Sequence, residues 1–479
     1  MEGSPPQTGI GERRPALADR EAVLEALTRL IAEAWESFES PRPEEPALRD
    51  DVRARLSEGL PAEPSDPREV LADAAEVLDE SVSPARPLYL AYIGSTGLEV
   101  GVLAAALAAT YDVNLAVTAR AADLLESQAV RWVSEFVGYP CAEGAFTSGG
   151  MISNLTALLI AREEALPGCR ERGFDGRRGA MYCSQEAHHS VIRAAEAAGL
   201  GSDWVRSIAI DERRRMVPSE LDAALARDRS EGVTPVAVVA NGGTTLTGAV
   251  DPLDELAAAC ERHGVWLHVD GAYGLPAAAT DTAGALFTGL GRADSVTLDA
   301  HKWMGIQKSC SVVLVRDAGL MERAFGHEGA YMRRDSVVRN AVESTLEYSR
   351  PLRSLKLWLS FRTYGAEQFR AWIEVTIARA RQLADEVKAR PGFELAVEPM
   401  LSTVCFRHVP EGIDAAELDR HNTELASAAQ EDGRVYIASA VVDDAIWLRT
   451  CFVNFRTRAD DVTRALDAIG ELGERLAAA

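Results

Sequence analysis

Four short segments carry residue types that could do chemistry. Residues 294–302 read DSVTLDAHK, an apolar run that ends and is followed by His301-Lys302. A lysine at the carboxyl end of a buried strand can form an imine with a carbonyl group if burial or nearby charge lowers its pKa. The dipeptide alone decides nothing, because a lysine in a surface loop reads the same way. Residues 266–274 read WLHVDGAYG, in which an apolar run delivers Asp270 and then small residues. A carboxylate placed there could ligate a metal, act as a base, pair with a cationic ring nitrogen, or merely cap the strand. Residues 145–154 read AFTSGGMISN, with Thr147, Ser148, Gly149 and Gly150 ahead of a helical pattern. Free N–H groups and the helix dipole favour an anion there, and glycine permits close approach. No GK[ST] follows, so the segment is not a P-loop. Residues 184–191 read SQEAHHSV. The two histidines face different ways, so at most one can stack on a flat ligand or act as acid or base.

The elements that must position these segments follow from hydrophobic patterning. Between about 98 and 315, short apolar runs at 207–210, 236–240, 265–269, 295–298 and 311–315 alternate with helical segments at 151–165, 188–198, 218–229 and 252–263. Such alternation predicts a mostly parallel sheet covered by helices on both faces. Ligands of such sheets bind beyond the carboxyl ends of the strands. The alanine-rich stretch 100–109 predicts a buried helix. After about 350 the pattern predicts a helix over 364–389, strands near 393–396, 402–407, 433–438 and 446–453, and a final helix over 459–477. The expected organisation is an N-terminal helical segment (1–85, its first 16 residues disordered), a large cofactor-binding domain (86–350) and a small α+β domain (351–479). Helices are expected over 17–38 and 68–80, with the Pro/Glu stretch 41–46 breaking the first.

Composition narrows the partners. Lys and Arg number 50 against 73 Asp and Glu, a formal charge of −23. That balance disfavours nucleic acid and anionic membranes. The seven cysteines have no CxxC spacing, which predicts neither a metal site nor a disulfide framework and fits a reduced cytoplasmic protein. The N-terminal residues lack the apolar region of a signal peptide, and no apolar run is long enough to span a bilayer.

In order and context the motifs resemble the pyridoxal-phosphate (PLP) dependent group II amino-acid decarboxylases, the family of aromatic-L-amino-acid decarboxylase, glutamate decarboxylase and histidine decarboxylase. The resemblance runs from about Arg86 to Gly365 and more loosely to the end. It rests on HVDGAYG, DAHKW, AHHSV and RSLKLW at 353–358. It implies the α/β fold type I of PLP enzymes and a homodimer with sites at the interface. Lys302 would hold PLP as a Schiff base and Asp270 would pair with the pyridine nitrogen. His188 would stack on one ring face, with Ala272 on the other. Thr244 matches a threonine near the cofactor. Gly150 and Met151 would offer N–H groups to the phosphate, with His301 beside it, and Tyr331 in GAYMRR matches a tyrosine that protonates the substrate carbon.

Three positions depart from the family pattern. Met151 stands where many relatives have a hydroxyl residue, which loses a phosphate contact or moves it to Ser148. Asp299 stands where the aromatic-acid enzymes have Asn, and a carboxylate there repels phosphate unless protonated or turned away. Arg86-Pro87 replaces a His-Pro pair. The resemblance implies decarboxylation of an L-amino acid to the amine. The alternatives are another carbon–carbon lyase, an aldehyde-forming oxidative decarboxylase, or a non-catalytic relative. Tyr92 allows an aromatic substrate, whereas Thr96 and Thr118 allow a small polar or acidic one. Arg449 reads as structural rather than as a carboxylate clamp.

Overall fold

The computed structural model describes residues 17, 19–39, 48–116, 119–327 and 341–478. The chain divides into two compact units, the first ending in sequence at Ser83. The first holds helices Arg20–Ser37, Asp50–Arg55 and Pro67–Asp79. Its first and third helices start at Asp19 and Asp66, whose carboxylates accept the N–H groups of Ala22 and Arg68.

The second unit is built on a seven-stranded sheet. Its strands are β1 (Glu143–Thr147), β2 (Gly179–Ser184), β3 (Val205–Ile208), β4 (Thr234–Asn241), β5 (Trp266–Asp270), β6 (Ser295–Asp299) and β7 (Ser311–Val315), in the order β1-β7-β6-β5-β4-β2-β3. β2 to β6 pair in parallel, while β7 runs antiparallel to both β6 and β1. β5, β6 and β7 are buried almost throughout, as strands with helices on both faces must be. The α/β class and the mostly parallel sheet stand as expected. A second sheet, in the order β10-β11-β9-β8, comprises β8 (Phe393–Leu395), β9 (Thr403–His408), β10 (Ala438–Val442) and β11 (Ala445–Cys451).

Several expectations need correction. β1 and β2 were not foreseen: EGAFT and GAMYCS are poor in β-branched residues, and pairing with β7, β3 and β4 overrides that weak propensity. β3 starts two residues before the expected 207, and β10 lies at 438–442 rather than 433–438. The long helix begins at Ser354 and carries a break at Gly365 (φ 76°), which hides the continuity of its pattern. The helix over 100–109 forms, as Glu99–Tyr111, but only Gly101 and Ala104 are buried in it. Leu103, Leu107 and Tyr111 are 50%, 49% and 77% exposed. The expected disorder of residues 1–16 lies outside the described residues. Among these, no helix is long and apolar enough to cross a membrane.

Candidate active site

Parallel pairing brings the carboxyl ends of β4, β5 and β6 to one edge, with Asn241 opposite Asp270 in register. Asp270 is the last residue of β5 and 7% exposed. Its Oδ1 accepts the Ala272 N–H at 3.1 Å and its Oδ2 accepts Asn154 Nδ2 at 2.8 Å. Asn154 comes from the helix Gly150–Ala165 and is itself fixed, with Oδ1 3.1 Å from His268 Nε2 and Nδ2 3.1 Å from Ser190 Oγ. Sequence reasoning assigned no role to Asn154 or His268. The period of two along β5 could have flagged His268, which shares the face of Asp270.

Asp299 ends β6 and is 1% exposed. Its Oδ2 lies 3.1 Å from Lys302 Nζ and 3.6 Å from His301 Nε2, while its Oδ1 is buried without a hydrogen-bond partner. The Asp299 N–H donates to the Ala272 carbonyl at 3.1 Å, tying the two strand ends together. His301 is held against the Cys310 backbone, and burial pushes its imidazole below the ordinary range. Gly150 opens its helix against this group. A β-carbon there would come within 2.9 Å of Asp299 Oδ2 and 3.1 Å of Ala272 Cβ, so only glycine fits without a shift. The N–H groups of Gly150 and Met151 occupy the first helical turn, where no intrahelical carbonyl serves them.

His188 caps the helix His189–Ala197, its Nδ1 accepting the Ser190 N–H at 3.2 Å. The residue is exposed, yet desolvation lowers its pKa, opposed by the nearby Asp270 carboxylate. Asp270, Ala272, Asp299, His301, Lys302, Gly150 and His188 therefore gather at one edge. The Met151 side chain is partly buried and packs against the apolar cluster that includes Leu158 and Val191. Ser148 and Gly149 precede the helix, half-buried. The Thr244 hydroxyl serves its own turn, accepting the N–H groups of Thr247 and Ala249 at 3.3 and 3.1 Å. Tyr331 and Thr118 lie outside the described residues.

The RSLKLW segment acts through backbone. Lys356 Nζ donates to the carbonyls of Gln307, Lys308 and Ser309 at 2.9, 3.3 and 3.2 Å, clamping the loop after Lys302. Arg353 forms a bidentate pair with Glu347 at 2.9 and 3.0 Å. Arg449 donates to the carbonyls of Ala91, Thr245 and Leu246, a structural use of its five donors. The carbonyls of Ala85 and Arg86 accept Asn454 Nδ2, which fixes the Arg86-Pro87 turn.

This donor set suits PLP in most respects. Asp270 uses two of its roughly four lone-pair sites, leaving room for a ring N–H. Lys302 offers an amine, and Gly150 forms a cradle that a larger residue would fill. Asp299 suits a phosphate less well: its Oδ2 lies 3.1 Å from Lys302 Nζ, and both of its oxygens border the Gly150 cradle.

The pyridoxal-dependent decarboxylase conserved domain matches residues 50–409. The chain is 32% identical over 437 residues to an aromatic-L-amino-acid decarboxylase of Bacillus atrophaeus, covering 89% of this chain and 90% of that one. It is 36% identical over 296 residues to cysteine sulfinic acid decarboxylase of Rattus norvegicus, a match that spans only 60% of either chain. The crystal structure of mouse CSAD superposes with a TM-score of 0.87 at 27% identity, over 95% of this chain and 98% of that one.

Proposed function

From the premise that the chain belongs to the pyridoxal-dependent decarboxylase family, and so is a PLP-dependent carboxy-lyase of fold type I acting on an amino acid, we propose how its own residues divide the work. When bound, PLP draws electrons from the substrate α-carbon as carbon dioxide leaves. Lys302 anchors the cofactor through its amine, and Asp299 orients that amine. Asp270 holds a proton on the ring nitrogen. His188 and Ala272 enclose the ring. The N–H groups of Gly150 and Met151, with Ser148, Gly149 and His301 beside them, hold the phosphate. Tyr331 delivers a proton to the α-carbon, which makes the product an amine.

The observation that carries this reading is the buried Asp270 carboxylate, held by two donors at the edge where Lys302 stands. The test is to incubate the PLP-loaded enzyme with aromatic and acidic L-amino acids and quantify carbon dioxide, amine and aldehyde together. Equal amounts of amine and carbon dioxide from at least one substrate are expected. Tyr331→Phe should lower amine formation at least about tenfold, the low end of what a positioned proton donor contributes. An unchanged amine yield and rate in that variant removes Tyr331 from the mechanism.

We also propose a homodimer. Leu103, Leu107 and Tyr111 present an apolar face to solvent, as do Leu24 and Leu78 in the first unit. Sedimentation at assay concentration should give twice the chain mass. An active monomer overturns the proposal.

A further inference from the structure

The Asp270 carboxylate is the last member of a line of side chains that runs back along β5 and β6. Trp266 Nε1 lies 2.9 Å from Ser295 Oγ. Ser295 Oγ lies 2.9 Å from His268 Nδ1. His268 Nε2 lies 3.1 Å from Asn154 Oδ1, and Asn154 Nδ2 lies 2.8 Å from Asp270 Oδ2. His268 and Ser295 are fully buried and Asn154 is 1% exposed.

The direction of each bond can be worked out from the chemistry of its two ends. An indole N–H only donates, so Ser295 Oγ accepts from Trp266 and keeps its own proton to give. An ionised carboxylate only accepts, so the Asn154 NH2 must face Asp270, and its second hydrogen reaches Ser190 Oγ at 3.1 Å. The amide oxygen then faces His268, and an amide oxygen only accepts. His268 must therefore carry its proton on Nε2 and leave the Nδ1 lone pair for the Ser295 hydroxyl. Along this line each donor points toward Asp270, and the one further hydrogen, on Asn154, goes to Ser190.

We propose that Trp266, Ser295, His268 and Asn154 form a one-way relay of neutral donors that positions the Asp270 carboxylate, with His268 and Asn154 as positioning residues for the ring-nitrogen contact. Its consequence rests on the reading of Asp270 as partner of that nitrogen, while the direction of the bonds does not. Burial supports it by pushing the His268 imidazole down to about 4, so the ring is neutral at working pH. Asp270 is the charged group that bears on it. A cationic ring would carry a proton on Nδ1 as well and reverse the link to Ser295, whose own hydroxyl proton would then have to leave the line. The relay uses no charge of its own, so it orients Asp270 without introducing a competing cation. Outer partners of this kind typically alter a site about 10–100-fold when removed, a scale taken from metal ligands.

The experiment has two arms. Neutron diffraction from the deuterium-exchanged full chain reads the proton positions directly. The relay requires deuterium on His268 Nε2 and none on Nδ1, and the reverse tautomer overturns it. The second arm loads the enzyme with PLP labelled with 15N in the ring and reads the ring-nitrogen shift beside turnover. Asn154→Leu and His268→Phe should move that shift toward the unprotonated position and lower kcat at least about tenfold. His268→Gln can accept from Ser295 and donate to Asn154, and should restore both. If Asp270→Asn moves the shift but Asn154→Leu and His268→Phe leave it in place, the relay is wrong. If Asp270→Asn leaves it in place as well, the reading of Asp270 itself is wrong, whatever the tautomer of His268.

Discussion

The carboxyl ends of β5 and β6 lie side by side, and each delivers a buried aspartate. Asp270 is a completed site, with both oxygens holding a donor and Asn154 held in turn from behind. Asp299 is an open one: Oδ2 leans on Lys302, and Oδ1 is buried with no partner. Leaving a buried acceptor unsatisfied costs about 1–3 kcal/mol. The same residue type at equivalent strand ends thus takes two roles, because the neighbouring segments supply different donors. In the proposed division of work, Asp270 is the held carboxylate that meets the ring nitrogen, whereas Asp299 is the one that meets an amine.

That contrast can be broken at four points. Removing the amine that Asp299 orients has the largest effect. Lys302→Ala should leave no measurable turnover, a loss of at least about a thousandfold, since the covalent anchor of the cofactor is gone. Thermal unfolding should show the fold intact. Neutralising the fixed charge comes next. Asp270→Asn should retain PLP but lose at least about a hundredfold in kcat, because an amide cannot hold the ring nitrogen protonated. Near-wild-type turnover removes that role.

The third point tests the support behind Asp270 through stability. Burial lowers the His268 pKa from 6.5 to about 4. Between those values the unfolded chain binds a proton that the folded chain refuses, so the His268 contribution is full above pH 6.5 and is lost as pH falls toward 4. A shift of that size corresponds to about 3 kcal/mol. Urea unfolding at pH 7.5 and 4.5 should show His268→Gln losing up to that much less stability than the wild type on acidification. Equal losses in both proteins contradict the buried neutral ring. The smallest expected effect has the opposite sign from that at Asp270. Asp299→Asn removes a negative charge beside the phosphate cradle, and equilibrium dialysis should show PLP bound several-fold tighter. Weaker binding would mean that Asp299 serves the cofactor directly.

How much of this was legible varied with the range of the interaction. Asp270 and Lys302 follow apolar runs and His188 opens a helical pattern, local signals that only their common order and context turned into expectations. The final helix over 459–477 was read to the residue, since its apolar face repeats without interruption. Asn154 stands within AFTSGGMISN, and its role is not legible there. Its partners His268 and Asp270 lie 114 and 116 residues away, and nothing local marks a side chain that crosses from a helix to a strand. Thr244 was expected near the cofactor through the resemblance alone, and what local structure adds is that its hydroxyl accepts the N–H groups of Thr247 and Ala249. The expected burial of Leu103 and Leu107 failed because composition reports how apolar a helix is and not what covers it.

The measurement that tests the account most directly is borohydride reduction of the PLP-loaded enzyme, followed by proteolysis and mass spectrometry of the cofactor-bearing peptide. The account predicts one labelled peptide, carrying the cofactor on Lys302 in the sequence DAHKW, and no label in Lys302→Ala. Label on any other lysine, or undiminished label in that variant, contradicts it.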